Sequence, residues 1–217
     1  ICGEYSKNTE LCEEAITIAT VCRVKELQNE FVRIALEPCQ DLEVRIDAAY
    51  AISHFDDNET KAKLKQLITG KNKEDDNLKS MALMALWPNH LTSEELFANI
   101  IIPEQARGIY SEFLSDTLIK GLKAQDLPVA LKWVKENQSV YLKSIDRKSL
   151  TFHVLADAIL LKSWEHLNIA DVLDKFVSIV MERFKTGNKI IQKIYNVTKF
   201  KNMLQTQEEN RHILLEG

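Results

Sequence analysis

Apolar residues recur at spacings of three and four along most of this chain, and this helical periodicity dominates over any alternating strand pattern, so the pattern predicts helices throughout. Leu11, Ala15, Ile18, Ala19 and Cys22 form the first apolar face, with Thr9 as a cap. Leu27, Phe31, Ile34 and Ala35 form the next, from about Lys25, and Pro38, which has no amide hydrogen, stops it. Asp41 is placed to cap a third helix, with Val44, Ala48, Ala51, Ile52 and Phe55 turned inward. Asp56-Asp57-Asn58 reads as a turn with a ready cap. Ala62, Leu64, Leu67 and Ile68 then make a partner helix closed by Gly70. A polar tract from Lys71 to Asn77 leads into a helix ending at Trp87-Pro88. Thr92-Ser-Glu-Glu95 is a capping box, in which Thr92 bonds the amide three residues on and Glu95 reaches back.

Beyond Ile102-Pro103 the predicted helices lengthen, to about 104–122, 126–137, 148–166, 169–185 and 188–206. Asp126-Leu-Pro128 is a start signal, because proline in the first turn forfeits no bond. Asn168 is expected to cap the helix carrying Ile169, Val172, Leu173, Phe176, Val177 and Val180, and Thr186-Gly187-Asn188 to end it. Trp133 and Trp164 fall at core spacing, and the last ten residues are polar enough to fray. No Gly-, Ser- or Pro-rich linker interrupts the chain. The expected organisation is therefore 1–102 as helical hairpin repeats and 103–217 as a C-terminal helical region continuing the array.

Two segments are versions of one pattern: Asp41-Leu-Glu-Val-Arg-Ile-Asp-Ala-Ala-Tyr-Ala-Ile52 and Asp76-Asn-Leu-Lys-Ser-Met-Ala-Leu-Met-Ala-Leu86. Each has an acidic start, an apolar-cation pair (Val44-Arg45, Leu78-Lys79) and then small and apolar residues at helical spacing. The pairs lie 34 residues apart, a period that predicts an all-α solenoid of stacked hairpins. Such arrays serve as binding surfaces and spacers more often than as active sites.

The segment Val44-Arg45-x-x-Ala48-x-x-Ala51-Ile52 resembles the second half of a HEAT-type repeat, in which small residues let helices approach closely. That likeness implies that Asp41 and Arg45 bond across adjacent repeats; Lys79 replaces the arginine in the second copy and lacks its bidentate fork. The longer stretch from Leu78 to Phe97, with Tyr110, Phe113, Leu114 and the run from Asp126 to Val134, is similar to the helical region of large bacterial NACHT-type, or STAND, NTPases. The resemblance, over roughly residues 40–135, implies a segment that senses a ligand or holds a switch shut, with protein or other domains of a parent chain as its partner. Any nucleotide chemistry would then belong elsewhere in the parent, because Gly187-Asn-Lys189 lacks the upstream glycine and following hydroxyl of a phosphate-binding loop.

Composition adds modest constraints. With 45% hydrophobic and 28% charged residues, six Gly and four Pro, the chain is an ordinary globular one and not an all-β protein with many tight turns. A net charge of −4 argues against a dedicated nucleic-acid binder. No apolar run spans a bilayer and no leader opens the chain; the expected setting is the cytoplasm, which reduced thiols would fit. Because the first residue is Ile1, we expect a piece cut from something longer. Cys2, Cys12, Cys22 and Cys39 show no metal-ligand spacing and are expected to be buried reduced thiols.

No catalytic, cofactor-binding or metal-ligating set emerges. His153 and Asp157 share a helix face but have no third partner, which predicts a surface ion pair. Trp87 and His90 sit at a helix end, either as a cap between repeats or as a ligand contact. Charge is uneven: residues 1–60 hold 13 acids against five bases, whereas Arg183, Lys185, Lys189, Lys193, Lys199 and Lys201 come with no acid among them. That basic stretch is a solvated helix face, or else a stripe that contacts phosphates or an acidic partner. Used on DNA, it would point to a helical-repeat nucleic-acid binder or DNA glycosylase, the alternative to an interaction module.

Overall fold

The computed structural model describes residues 9–55, 57–69, 75–102, 108–142, 147–192 and 194–216, and among them every regular element is helical. Their Cα atoms separate into two compact units, Ile1–Ile101 and Ile102–Gly217. Among the described residues no helix is long and apolar enough to cross a membrane.

The first unit contains α1 (Thr9–Val21), a 3-10 turn (Lys25–Leu27), α2 (Gln28–Leu36), α3 (Leu42–Ser53), α4 (Asn58–Ala62), α5 (Lys65–Thr69), α6 (Asp76–Leu86) and α7 (Ser93–Asn99). Local chemistry sets these ends. The Glu43 amide donates to Asp41 Oδ1 at 2.9 Å, the Glu59 amide to Asp57 Oδ1 at 3.0 Å and the Asn77 amide to Asp75 Oδ1 at 2.7 Å, each satisfying a first-turn donor. Both halves of the Thr92–Glu95 capping box are made. The partner helix expected after Asp57 is split at Lys63-Leu64 into α4 and α5. The expected Gly70 closure and Asp56 lie outside the described residues.

Helix α3 is the hub of this unit and lies against α1, α2 and α6. Its Ile46, Ala48, Ala49, Ala51 and Ile52 are wholly buried, as are Leu78, Ala82, Leu83 and Leu86 of α6, so the two sequence copies meet through small and branched side chains. Arg45 is buried too, its Nε donating to the Ala35 carbonyl at 3.0 Å, while Asp41 caps its own helix.

One face is reversed from expectation. Helix α1 turns Ile16 (5% exposed) and Ala19 (6%) inward, whereas Leu11 (58%) and Ile18 (63%) face solvent with Ala15 and Cys22. Both stripes have helical spacing, and contact with α3 decides between them. The thiols also differ from expectation: Cys12 is half-buried, Cys22 and Cys39 are exposed, and Cys2 lies outside the described residues.

The second unit contains α8 (Gly108–Glu112), a π-helical stretch (Phe113–Thr117) running on into α9 (Leu118–Gly121), a 3-10 turn (Ala124–Asp126), α10 (Leu127–Tyr141), α11 (Arg147–Trp164), α12 (Ala170–Lys185), α13 (Ile194–Thr206) and α14 (Glu208–Glu216). Pro128 lies in the first turn of α10. The Asn168 cap is not made: Ile169 occupies that position without a side-chain bond. Helix α11 is the hub, touching α9, α10, α12 and α13, with Phe152, Leu155, Ile159 and Trp164 wholly buried. The polar tail does not end in frayed coil. Trp164 Nε1 donates to Gln207 Oε1 at 2.6 Å and Asn210 Nδ2 to the Trp164 carbonyl at 2.8 Å, which ties the start of α14 to α11.

Candidate functional site

Trp87 and His90 form a strut. Buried Trp87 ends α6, its amide donating to Leu83 O at 3.0 Å. The His90 amide donates to Leu86 O at 2.8 Å, and its ring Nε2 to Asn58 Oδ1 at 3.3 Å, at the start of α4. Burial, and then Lys61 and Lys65, hold the imidazole below its ordinary value of 6.5.

The predicted basic stripe does not exist as one helix face. Gly187 takes φ +71°, and its amide and that of Asn188 donate to Phe184 O at 3.0 Å and Arg183 O at 2.8 Å, the paired bonds of a left-handed C-terminal cap. Residues 188–192 are not helical and α13 starts only at Ile194, so the four-residue spacing from Lys185 to Lys189 has no helix to run along. Lys185, Lys189, Lys199 and Lys201 are exposed, and Lys193 lies outside the described residues. Arg183 is instead wholly buried.

Its guanidinium is the centre of a network joining four segments. Nε donates to Gln138 Oε1 at 3.2 Å, and Nη1 donates to the Ile190 carbonyl and faces Asp157 Oδ1 at 3.8 Å. The Gln192 amide donates to both oxygens of Asp157, at 3.2 and 3.0 Å, and Gln138 Nε2 to Glu182 Oε2 at 2.8 Å. Burial pulls the Arg183 pKa down while Asp157 and Glu182 push it back up. Asp157 and neighbouring His153 are thus buried, not the surface pair their spacing predicts. This arrangement pins the 190–192 segment to α10, α11 and α12.

Lys199 does meet other bases, but ones distant in sequence. It lines a surface concavity of about 670 Å³ with Lys120 and Lys162, together with Asp116 and Glu165. Lys120 Nζ donates to Asp116 Oδ2 at 2.7 Å. Three lysines against two acids give this groove little net charge for a phosphate backbone to meet.

The first unit holds the more distinctive surface. On one side of α1 an apolar groove of about 360 Å³ runs between α1, α2 and the start of α3, its walls including Cys12, Ala15, Ile16, Phe31, Ile34 and Val44. On the other side a trough of about 590 Å³ is lined by Glu10, Glu13, Glu14, Thr17, Ile18 and Asp47. Sequence reasoning missed this site because it turned Leu11 and Ile18 inward. The excess of acids in residues 1–60 was the one signal pointing to it.

No protein family, curated protein or solved structure matches this chain.

Proposed function

We propose that this chain is a non-catalytic helical-repeat interaction module: a HEAT-like solenoid segment that serves as sensor or scaffold within a larger bacterial NACHT-type NTPase of the cytoplasm. The observation that carries this reading is the pairing of the two sequence copies in the first unit. Their buried small residues face each other on α3 and α6, and side-chain bonds cross at about the repeat spacing. Lys63 Nζ donates to Asn29 Oδ1 (3.1 Å, 34 residues apart), Lys65 Nζ to Glu95 Oε1 (2.6 Å, 30 apart) and His90 Nε2 to Asn58 Oδ1 (3.3 Å, 32 apart). Repeats that contact only neighbours predict bonds of this kind. The use of the Gly187 and Asn188 amides in a helix cap supports placing any phosphate-binding loop elsewhere in the parent. Its partner is protein, either another chain or the parent's other domains. The nucleic-acid reading, with or without base excision, loses its main support when Arg183 turns inward.

The test is the intact mass and peptide map of the native protein from its source cells. A chain far larger than 24.9 kDa, carrying Gly-x-x-x-x-Gly-Lys-[Ser/Thr], is expected. A mature chain of about this size would sink the NTPase assignment.

A further inference from the structure

The exposed apolar residues along α1 fall in one line. Leu11, Ala15, Ile18 and Cys22 are spaced four, three and four apart, the seam of a two-helix coil, and all four face solvent. Single exposed apolar residues need no explanation, whereas a continuous stripe does. This stripe also joins two concavities, since Ala15 belongs to the apolar groove and Ile18 to the acidic trough. A helix laid along α1 would set larger apolar side chains into the groove and one polar flank over the trough.

The charge of the trough decides what that flank must be. Four of its six lining residues are acids and none is a base. The Glu13 carboxyl is held above its ordinary value by partial burial and then by Asp47, Glu43, Asp41 and Glu10, so negative charges crowd one another here. A second copy of α1 would bring Glu10 and Glu14 against acids like themselves, a juxtaposition that costs affinity.

We propose that α1 is the docking strip for an amphipathic helix with an apolar heptad seam and lysine or arginine along one flank. The inference builds on the interaction reading above and names the chemistry of the partner. Recognition is helix-in-groove: apolar anchors supply affinity while the basic flank fixes orientation and excludes acidic competitors.

Fluorescence anisotropy with three labelled synthetic helical peptides tests it, each used below the concentration at which it self-associates. One has a leucine seam and a lysine flank, the second has glutamate in place of the lysines, and the third has serine in place of the leucines. The first should bind, and the other two should bind at least about tenfold more weakly, the scale of a lost anchor or charge set. The double variants Leu11→Ser/Ile18→Ser and Glu10→Lys/Glu14→Lys, whose helicity is checked by circular dichroism, should each weaken the first peptide about tenfold. The second variant should also come to prefer the glutamate peptide. No binding of the lysine peptide, equal binding of all three, or indifference to the double variants would overturn the proposal. So would a dimer in sedimentation that Leu11→Ser/Ile18→Ser dissolves, which would assign the strip to a second copy. A 25 kDa native chain with intact peptide selectivity would defeat the NTPase assignment and leave this inference standing.

Discussion

Arg183 on α12 faces Asp157 on α11, Nη1 to Oδ1 at 3.8 Å, with both side chains wholly closed to solvent. The pair is too long for a direct hydrogen bond, but each partner also bonds backbone of the 190–192 segment: Arg183 Nη1 donates to the Ile190 carbonyl, and Asp157 accepts from the Gln192 amide. It is therefore a clamp on the chain between α12 and α13. Removing one member leaves the other charge buried and short of compensation. Arg183→Met should cost about 3–5 kcal/mol in urea unfolding. Arg183→Met/Asp157→Asn should recover part of that loss, because no uncompensated charge is then left inside.

The two faces of α1 should respond in opposite ways. Ile16→Ala removes a buried anchor against α3 and should destabilise by about 2–4 kcal/mol. Ile18→Ser lies on the open face and should stay within about 0.5 kcal/mol of the parent. Chemical denaturation of both variants checks the contrast, and equal losses would mean that α1 is turned the other way.

What the sequence shows of this protein depends on how local the cause is. Asp41, Asp57, Thr92 and Glu95 are read correctly because a cap is chemistry within three residues. The core of α3 is legible only in part: Val44, Ala48, Ala51, Ile52 and Phe55 are buried as their spacing predicts, but Ile46 and Ala49 are buried too, because neighbours cover the helix on more than one side. Helix α1 has two apolar stripes, and only its contact with α3 selects Ile16 over Ile18. The basic stretch misleads for a related reason: its regular spacing assumes unbroken helical phase, but Gly187 resets the backbone and α13 begins six residues after Asn188. Arg183 is then free to turn toward Asp157, 26 residues earlier in the chain, a contact no local pattern encodes.

Two helix ends use the same left-handed closure with different residues. Arg23 takes φ +51° after α1, its amide donating to Thr20 O at 3.1 Å and that of Val24 to Ala19 O at 3.0 Å, whereas Gly187 fills the equivalent position after α12. A side chain strains this backbone and glycine does not. Arg23→Gly should stabilise by about 0.5–1 kcal/mol and Gly187→Ala should destabilise by about 1 kcal/mol, both read from thermal unfolding.

Stability of the first unit should depend on pH through His90. Folding lowers the imidazole pKa below 6.5, so below that value the unfolded chain binds the proton more readily than the native state. The contribution is fully present above about 6.5 and is lost as pH falls through the folded value. Glu30 and Glu95 are lowered from 4.5, chiefly by hydrogen bonds from Arg33 and Lys65, and lose their contributions only in the more acid range. Between pH 7.5 and 5.5 the melting temperature of His90→Gln should therefore fall less than that of the parent. Parallel curves would remove His90 from the account.

The repeat architecture is tested most directly by deleting one period. Removing residues 45–78 joins Val44 to Lys79 and takes out 34 residues, the spacing of the two copies, so the fused helix keeps its cap and its apolar face. In an array where each hairpin contacts only neighbours, the shortened protein should still fold. Hydrogen exchange should then show protected amides in α2, packed on the fused helix, and in the helix following Thr92. Loss of protection throughout α2, with the second unit still protected, would show that the first unit is a single interlocked core and would contradict the repeat reading.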